Sequence, residues 1–186
     1  MKKSFALIAG ASVIIALSGC AGTTTAATPA NSSNSSTMSA PAASMAPAQA
    51  SVVFKDGVLI TPEMKIEITD HKIIPVGAPG NEYGKKPVIA FWYKISNLTD
   101  KKISPMDFLF VFTAFQDNNP NAENKLNVGA LPDEKFLDSQ TENIKKGGTV
   151  ENAVAYELTD ATTPVDLVAS NDMGMTQIGK MTYKLK

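Results

Sequence analysis

The chain has 186 residues, with 17 basic and 18 acidic side chains and a formal net charge of −1. All 17 basic side chains are lysine, and a nearly neutral chain without arginine argues against nucleic acid as a partner. The single cysteine excludes an internal disulfide, so the fold must be held together by packing alone.

The first twenty residues have the pattern of an export signal that ends in a cysteine. Lys2 and Lys3 precede an uncharged apolar run that is too short to span a bilayer comfortably. The run leads through Leu17-Ser18-Gly19 to Cys20, which resembles the lipobox cysteine of bacterial lipoproteins. We therefore predict a lipoprotein signal peptide at residues 1–19, with Cys20 carrying a diacylglycerol on its sulfur.

Residues 20–50 are predicted to form a disordered tether. No charged residue occurs between Lys3 and Lys55, and the segment consists mainly of Ala, Ser, Thr, Pro, Asn and Gly, without an aromatic residue. Such a composition buries too little apolar surface to offset the entropy lost on ordering. A flexible chain of this length spans about 30 Å r.m.s., which would hold a domain away from a membrane.

Residues 51–186 are predicted to form one domain of short β-strands. Met64, Ile66 and Ile68 alternate with polar residues, which is typical of a half-buried strand. Turn residues separate the segments, and none shows a long helical period. We predict an all-β fold, an antiparallel Ig-like β-sandwich of about seven strands, with a short helix at 132–137. The predicted strands are 58–60, 64–69, 88–96, 108–115, 150–158, 165–169 and 178–185.

Three motifs make the domain similar to a known family. The apolar strand at 87–97 ends in Asn97-Leu98-Thr99-Asp100, a second strand ends in Phe115-Gln116-Asp117, and Ile144-Lys145-Lys146-Gly147 precedes a strand rich in Val and Tyr. In these features the chain resembles a bacterial surface-lipoprotein family whose Ig-like domain is known as domain of unknown function 5067. The resemblance implies an Ig-like sandwich on a lipid anchor, typical of Gram-positive bacteria, and no assigned activity.

No motif in the sequence points to catalysis or to a cofactor. A Ser-His-Asp or Cys-His arrangement would depend on His71, the only histidine, which follows Asp70 as part of an ordinary exposed polar pair. The loop at 117–123 alternates carboxylate and amide oxygens, like the opening of a calcium loop, but Ala122 replaces the glycine and Val128 the bidentate glutamate. We predict a plain hairpin loop there, no metal site, no cofactor and no enzyme activity.

Two neighbouring strands are apolar on both faces, whereas a strand of a two-layer sandwich normally has one polar face. In the predicted strand at 108–115, Phe108, Phe110 and Phe112 share a face, and Trp92 lies on the second apolar face of the preceding strand. Trp92, Phe110 and Phe112 are therefore a candidate interaction patch. The other interpretation is that the segment 52–54 or a long loop covers this outer face.

These features together predict a noncatalytic interaction module that is lipid-anchored through Cys20 at the extracytoplasmic face of the cell membrane. Its partners would be the membrane, through the lipid, and an envelope protein or wall component, with no role for nucleic acid. The alternative is a small extracytoplasmic ligand- or ion-binding lipoprotein, which a single domain without α/β alternation disfavours. An envelope hydrolase that uses only carboxylates is a third option, and no pairing in the sequence supports it.

Overall fold

The computed structural model describes residues 52–171 and 174–185. The predicted signal peptide, Cys20 and the tether at 20–50 lie outside the described residues. Within the described residues, no helix is long and apolar enough to cross a bilayer. The strands are β1 (Val53–Lys55), β2 (Val58–Ile60), β3 (Met64–Ile74), β4 (Val88–Asn97), β5 (Phe112–Gln116), β6 (Thr149–Glu157), β7 (Val165–Asn171) and β8 (Thr176–Tyr183).

The strands form two antiparallel sheets, with the orders β1-β2-β3-β4-β6 and β5-β7-β8. In an immunoglobulin domain, strands A, B and E are neighbours in one sheet, and C, F and G are neighbours in the other. The trios β3-β4-β6 and β5-β7-β8 follow these two orders. The predicted all-β sandwich is therefore confirmed, and its strand order is Ig-like.

One strand that was not predicted, β1, forms a hairpin with the predicted β2 and brings the number of strands in the described chain to eight rather than about seven. Its turn residues Asp56 and Gly57 have φ angles of 51° and 77°, which is the left-handed geometry that a two-residue hairpin turn requires. Because β2 pairs with β3, the hairpin extends that sheet. The segment 52–54 thus lies at the edge of the sheet and does not cover its outer face.

The core lies between the inner faces of the two sheets. The alternating residues of β4, Ile89, Phe91, Tyr93 and Ile95, are all buried, as their shared face predicted. Phe91 packs edge-on against Tyr156 of β6, with 6.2 Å between the ring centres. Each buried side chain of this size contributes about 1.5–3 kcal/mol to folding, so this face of β4 is held firmly against the core.

The predicted strand at 108–115 is wrong in its first half. Pro105–Asp107 form a 3-10 turn and Phe108–Val111 form one α-helical turn, α1, so that β5 begins only at Phe112. The local cause is polar: Asp107 accepts hydrogen bonds from the backbone N–H and hydroxyl of Ser104 at 2.5 and 2.9 Å, while Pro105 supplies a helical φ at the first position. These two signals override the strand preference of the aromatic residues.

The outer face of β4 is partly covered by a long loop, which was the second of the two sequence-based interpretations. Val88 and Ala90 are buried there. The loop reaches them at Gly129, whose N–H donates to the carbonyl of Ala155 at 2.8 Å. The 3-10 helix Glu134–Phe136 follows in this loop and confirms the predicted short helix at 132–137.

Candidate interaction surface

The Phe-Gln-Asp motif at the end of β5 is a structural joint. Gln116 is fully buried, and its Nε2 donates to the carbonyl oxygens of Asp160 and Thr163 at 3.2 and 2.8 Å. Its Oε1 accepts from the N–H and the hydroxyl of Thr159 at 2.7 and 2.9 Å. The side chain thereby fastens the loop between β6 and β7 to the end of β5.

We expect Gln116→Leu to lower the free energy of unfolding by about 2–3 kcal/mol, because leucine would leave buried backbone groups of that loop without partners. Chemical denaturation of the two purified chains measures the difference. Gln177→Leu makes the same change at an exposed position of β8 and should cost less than about 0.5 kcal/mol. A Gln116→Leu chain as stable as the parent would contradict the conclusion that Gln116 fastens this loop to β5.

The Asn-Leu-Thr-Asp motif at the end of β4 is a second joint. Asn97 is buried, and its Nδ2 donates to the carbonyl oxygens of Lys101 and Ile144, each at 2.8 Å. Its Oδ1 accepts from the N–H of Thr99 at 2.9 Å. The motifs that carry the family resemblance therefore hold loops in place through their buried amide groups.

The histidine on which a catalytic arrangement would depend lies at an open edge of β3. The His71 ring packs edge to face against Tyr183, with 4.7 Å between the ring centres. The Asp70 carboxylate accepts from the backbone N–H of His71 at 2.8 Å. Asp70 thus binds the main chain of its neighbour and does not orient the imidazole.

The loop after β5, weighed above as a calcium loop, uses its amides internally. Asn118 Nδ2 donates to the Thr159 hydroxyl at 3.0 Å and to Asp160 Oδ2 at 2.6 Å, and Asn124 Nδ2 donates to Asn118 Oδ1 at 2.7 Å. Hydrogen bonds to the Asp160 carboxylate, of which the one from the Thr163 N–H has the largest effect, keep the pKa of this carboxyl far below its usual range. In the part of the chain that the structure describes, no three His, Cys, Asp or Glu side chains are grouped as metal ligands.

The structure does not bring the three residues of the predicted patch together at the surface. Phe112 is only 2% exposed and belongs to the core, because it begins the inner face of β5. Trp92 is half-buried, and its Nε1 donates to Asp133 Oδ2 at 3.2 Å, under the covering loop. Phe110, on α1, is 67% exposed. The patch as predicted is wrong, since the helical turn separates Phe110 from Phe112.

A concave surface lies instead on the outer face of the three-stranded sheet. We call it the β5-β7-β8 groove; it encloses a volume of about 550 Å³, within the range of known ligand sites. Phe115 and Val168, both half-buried, form its floor with the polar Thr113. The segment 123–125 borders it beyond β5, and β8 borders it on the other side.

The groove is charged along its borders. Asp166 accepts from Lys180 Nζ and from the Thr182 hydroxyl, each at 2.5 Å. Partial burial opposes ionisation of Asp166, but these two hydrogen bonds outweigh it and keep the pKa of the carboxyl below its usual value. Lys125 and Glu123 line the opposite border and form no ion pair with the described residues. The groove thus presents charged side chains of both signs beside the apolar Phe115 and Val168 of its floor.

Sequence reasoning missed this groove because no single segment contains it. Thr113 pairs with Val168, and Val168 pairs with Lys180, so the surface exists only once three strands far apart in the chain are in register. The available signal was the polar-apolar alternation of β7, in which Asp166 and Val168 share one face. That alternation locates an outer face but gives no sign of a groove.

The strand order and the open face of the smaller sheet identify the molecule as an Ig-like β-sandwich domain. The family model described as "Domain of unknown function (DUF5067)" matches residues 39–171. The chain belongs to this family, as its motifs predicted. No curated protein matches the sequence.

Two solved structures share the fold. A Staphylococcus aureus protein described as a "putative lipoprotein" is 22% identical with a TM-score of 0.62, and the match covers 72% of this chain and 92% of that protein. An Enterococcus faecalis protein studied by NMR is 18% identical with a TM-score of 0.54, and the match covers 72% of this chain and 93% of that protein. At these identities the likeness shows the fold alone.

Proposed function

We propose that this protein is a noncatalytic interaction module, anchored by a lipid on Cys20 at the extracytoplasmic face of the membrane, and that its contact surface is the β5-β7-β8 groove. The observation that carries the proposal is the groove itself, in which the apolar Phe115 and Val168 lie among polar and charged side chains. Interfaces commonly combine an apolar centre with a polar rim. The partner class that this suits is an envelope protein or a wall component, not nucleic acid.

The chemistry of the groove supports binding over catalysis. Its hydroxyl groups, on Thr113 and Ser170, have no histidine beside them, because His71 lies on the other sheet. An adjacent histidine is the base in the commonest arrangements that activate a hydroxyl nucleophile, and the groove does not contain that arrangement. The buried side-chain amides of Gln116 and Asn97 are engaged in the loop joints.

The lipid anchor is supported by the signal pattern that ends at Cys20 and by the polar composition of residues 20–50. The S. aureus structural neighbour carries the name "putative lipoprotein", which is consistent with the same arrangement in this chain. A flexible tether of about 30 Å would let the groove reach partners beyond the lipid headgroups.

We expect a photo-cross-linking residue in the groove to capture its partner on intact cells. The probe replaces Phe115 on the floor, and the control probe replaces Lys94 on the outer face of the larger sheet. Adding Lys125→Glu should lower capture from the floor about tenfold, the equivalent of about 1.4 kcal/mol for reversing a charge at the border. The matched change Glu123→Lys tests the opposite sign at the same border.

Capture at Phe115 and not at Lys94, with a clear response to Lys125→Glu, would establish the groove as the contact surface. Equal capture at both positions would overturn it.

The volume of the groove also favours a second candidate, a small-ligand or ion-binding lipoprotein. A thermal-shift screen of sugars, peptides and ions separates the two. A ligand at one hundred times its Kd should stabilise the folded chain by about 2.7 kcal/mol. Stabilisation that Val168→Glu abolishes would favour the small-ligand function over the interaction module.

A further inference from the structure

One end of the sandwich lies where the described chain begins, and we call it the proximal end. Val53, at the start of β1, pairs with Ile60, and Ile60 lies in register with the Ser96 end of β4 through the intervening strand. The described chain therefore begins at this end of the domain. The loop at 75–87 joins the opposite ends of β3 and β4, and we call that end distal.

Three turns meet at the proximal end and are fastened to one another. They are the turns at 61–63, 97–103 and 144–148. The N–H of Leu98 donates to the carbonyl of Glu63 at 2.8 Å, and the N–H of Ile144 donates to the carbonyl of Ile103 at 2.8 Å. The groups that these turns expose thus form a single fixed surface.

Four lysines lie on these turns, and two of them form ion pairs with carboxylates of the same turns. Lys101 is bonded to the carboxylate of Glu63, and Lys146 to that of Asp100 at 2.8 Å. Their partners are the only carboxylates on the three turns. The positive charge that remains must come from the other two lysines.

Lys102 and Lys145 supply this charge, and apolar groups accompany them. Both lysines are exposed, and neither forms an ion pair within 4.0 Å among the described residues. Leu98 is 45% exposed, and Val53 and Ile60 are each 39% exposed. Lysines beside exposed aliphatic groups are the combination by which a protein surface contacts an anionic bilayer.

We propose that the proximal end docks onto anionic lipid headgroups, with Lys102 and Lys145 as the electrostatic contacts and Leu98 as the apolar one. The proposal rests on the proposed anchoring, because the described chain begins at this end and a lipid on Cys20 would keep the domain near the membrane. Tethering gives an effective concentration in about the millimolar range, so two lysines are enough for a weak contact. Docking at this end leaves the distal end pointing away from the bilayer.

The test replaces the natural anchor so that it does not depend on Cys20. Residues 20–186 with a histidine tag in place of Cys20 are attached to vesicles that contain a nickel-chelating lipid. The vesicles are otherwise phosphatidylcholine, or an equal mixture of phosphatidylcholine and phosphatidylglycerol. A polarity-sensitive dye is placed at Leu98→Cys or, as the control, at Val76→Cys in the distal loop; both are then the only cysteine in the chain.

We expect a blue shift of the dye at Leu98→Cys on the anionic vesicles alone, and none at Val76→Cys. Lys102→Gln with Lys145→Gln should lower the docking equilibrium constant about fivefold for each lysine, whereas Lys85→Gln with Lys86→Gln at the distal end should not change it. Equal shifts at both dye positions, equal effects of both lysine pairs, or no shift on anionic vesicles would each overturn docking. Loss of natural lipid labelling at Cys20 would instead bear on the anchor alone.

Discussion

Phe112→Ala is expected to lower the free energy of unfolding by about 3–5 kcal/mol, the usual cost of removing a buried phenylalanine. The ring lies 4.6 Å from the ring of Phe108 and 5.0 Å from that of Phe54, centre to centre. Alanine would therefore leave a cavity between the two sheets. Urea denaturation of the purified Phe112→Ala chain, compared with that of the unsubstituted chain, measures the change.

Phe110→Ala is the matched control, since it makes the same substitution two residues away. Phe110 is 67% exposed, so its loss should cost less than about 0.5 kcal/mol. In a continuous strand at 108–115, Phe110 and Phe112 would share a face and respond alike. Similar costs for both changes would contradict the helical turn, and a large difference in the expected direction would support it.

The fold could be predicted where side-chain alternation and burial act together. In β3, the inward positions Met64 and Ile66 are buried and alternate with the polar Lys65 and Glu67, so a period of two residues was sufficient to identify the strand and its inner face. The segment at 108–115 is apolar throughout and carries no such period. There the backbone conformation is determined by Pro105 and Asp107, which lie just before the apolar run.

The candidate site was harder to predict than the strands, for a physical reason. Trp92 and Phe110 were chosen because large apolar groups on two faces of a strand need an explanation, yet a loop distant in sequence covers the first and a helical turn exposes the second. The β5-β7-β8 groove depends on the pairing of Thr113 with Val168 and of Val168 with Lys180. Pairing between distant strands is set by the whole sandwich, and no local pattern encodes it.

The motifs that identify the family carry structural information and little about the partner. Asn97 and Gln116 bind backbone groups of loops that meet at opposite ends of the sandwich. A sequence that preserves them preserves the loop joints. Most of the groove is lined by other side chains, such as Val168 and Lys125, so two members of the family can share the sandwich and still bind different partners.

Cys20→Ala is expected to abolish lipid labelling and to release the protein from the membrane, because the thiol is the only group in the chain that can carry the thioether-linked lipid of the predicted lipobox. Metabolic labelling with an alkyne fatty acid and fractionation of the producing cells measure the two effects. Thr23→Ala, three residues further on in the predicted tether, should keep both the label and the membrane location. The two chains differ only at these positions, so the comparison separates loss of the lipid from loss of export. A Cys20→Ala protein that is still labelled and still membrane-bound would show that the lipobox interpretation is wrong. A released and folded Cys20→Ala protein would show that membrane attachment depends on this sulfur, because the weak contacts at the proximal end hold the domain only while it is tethered.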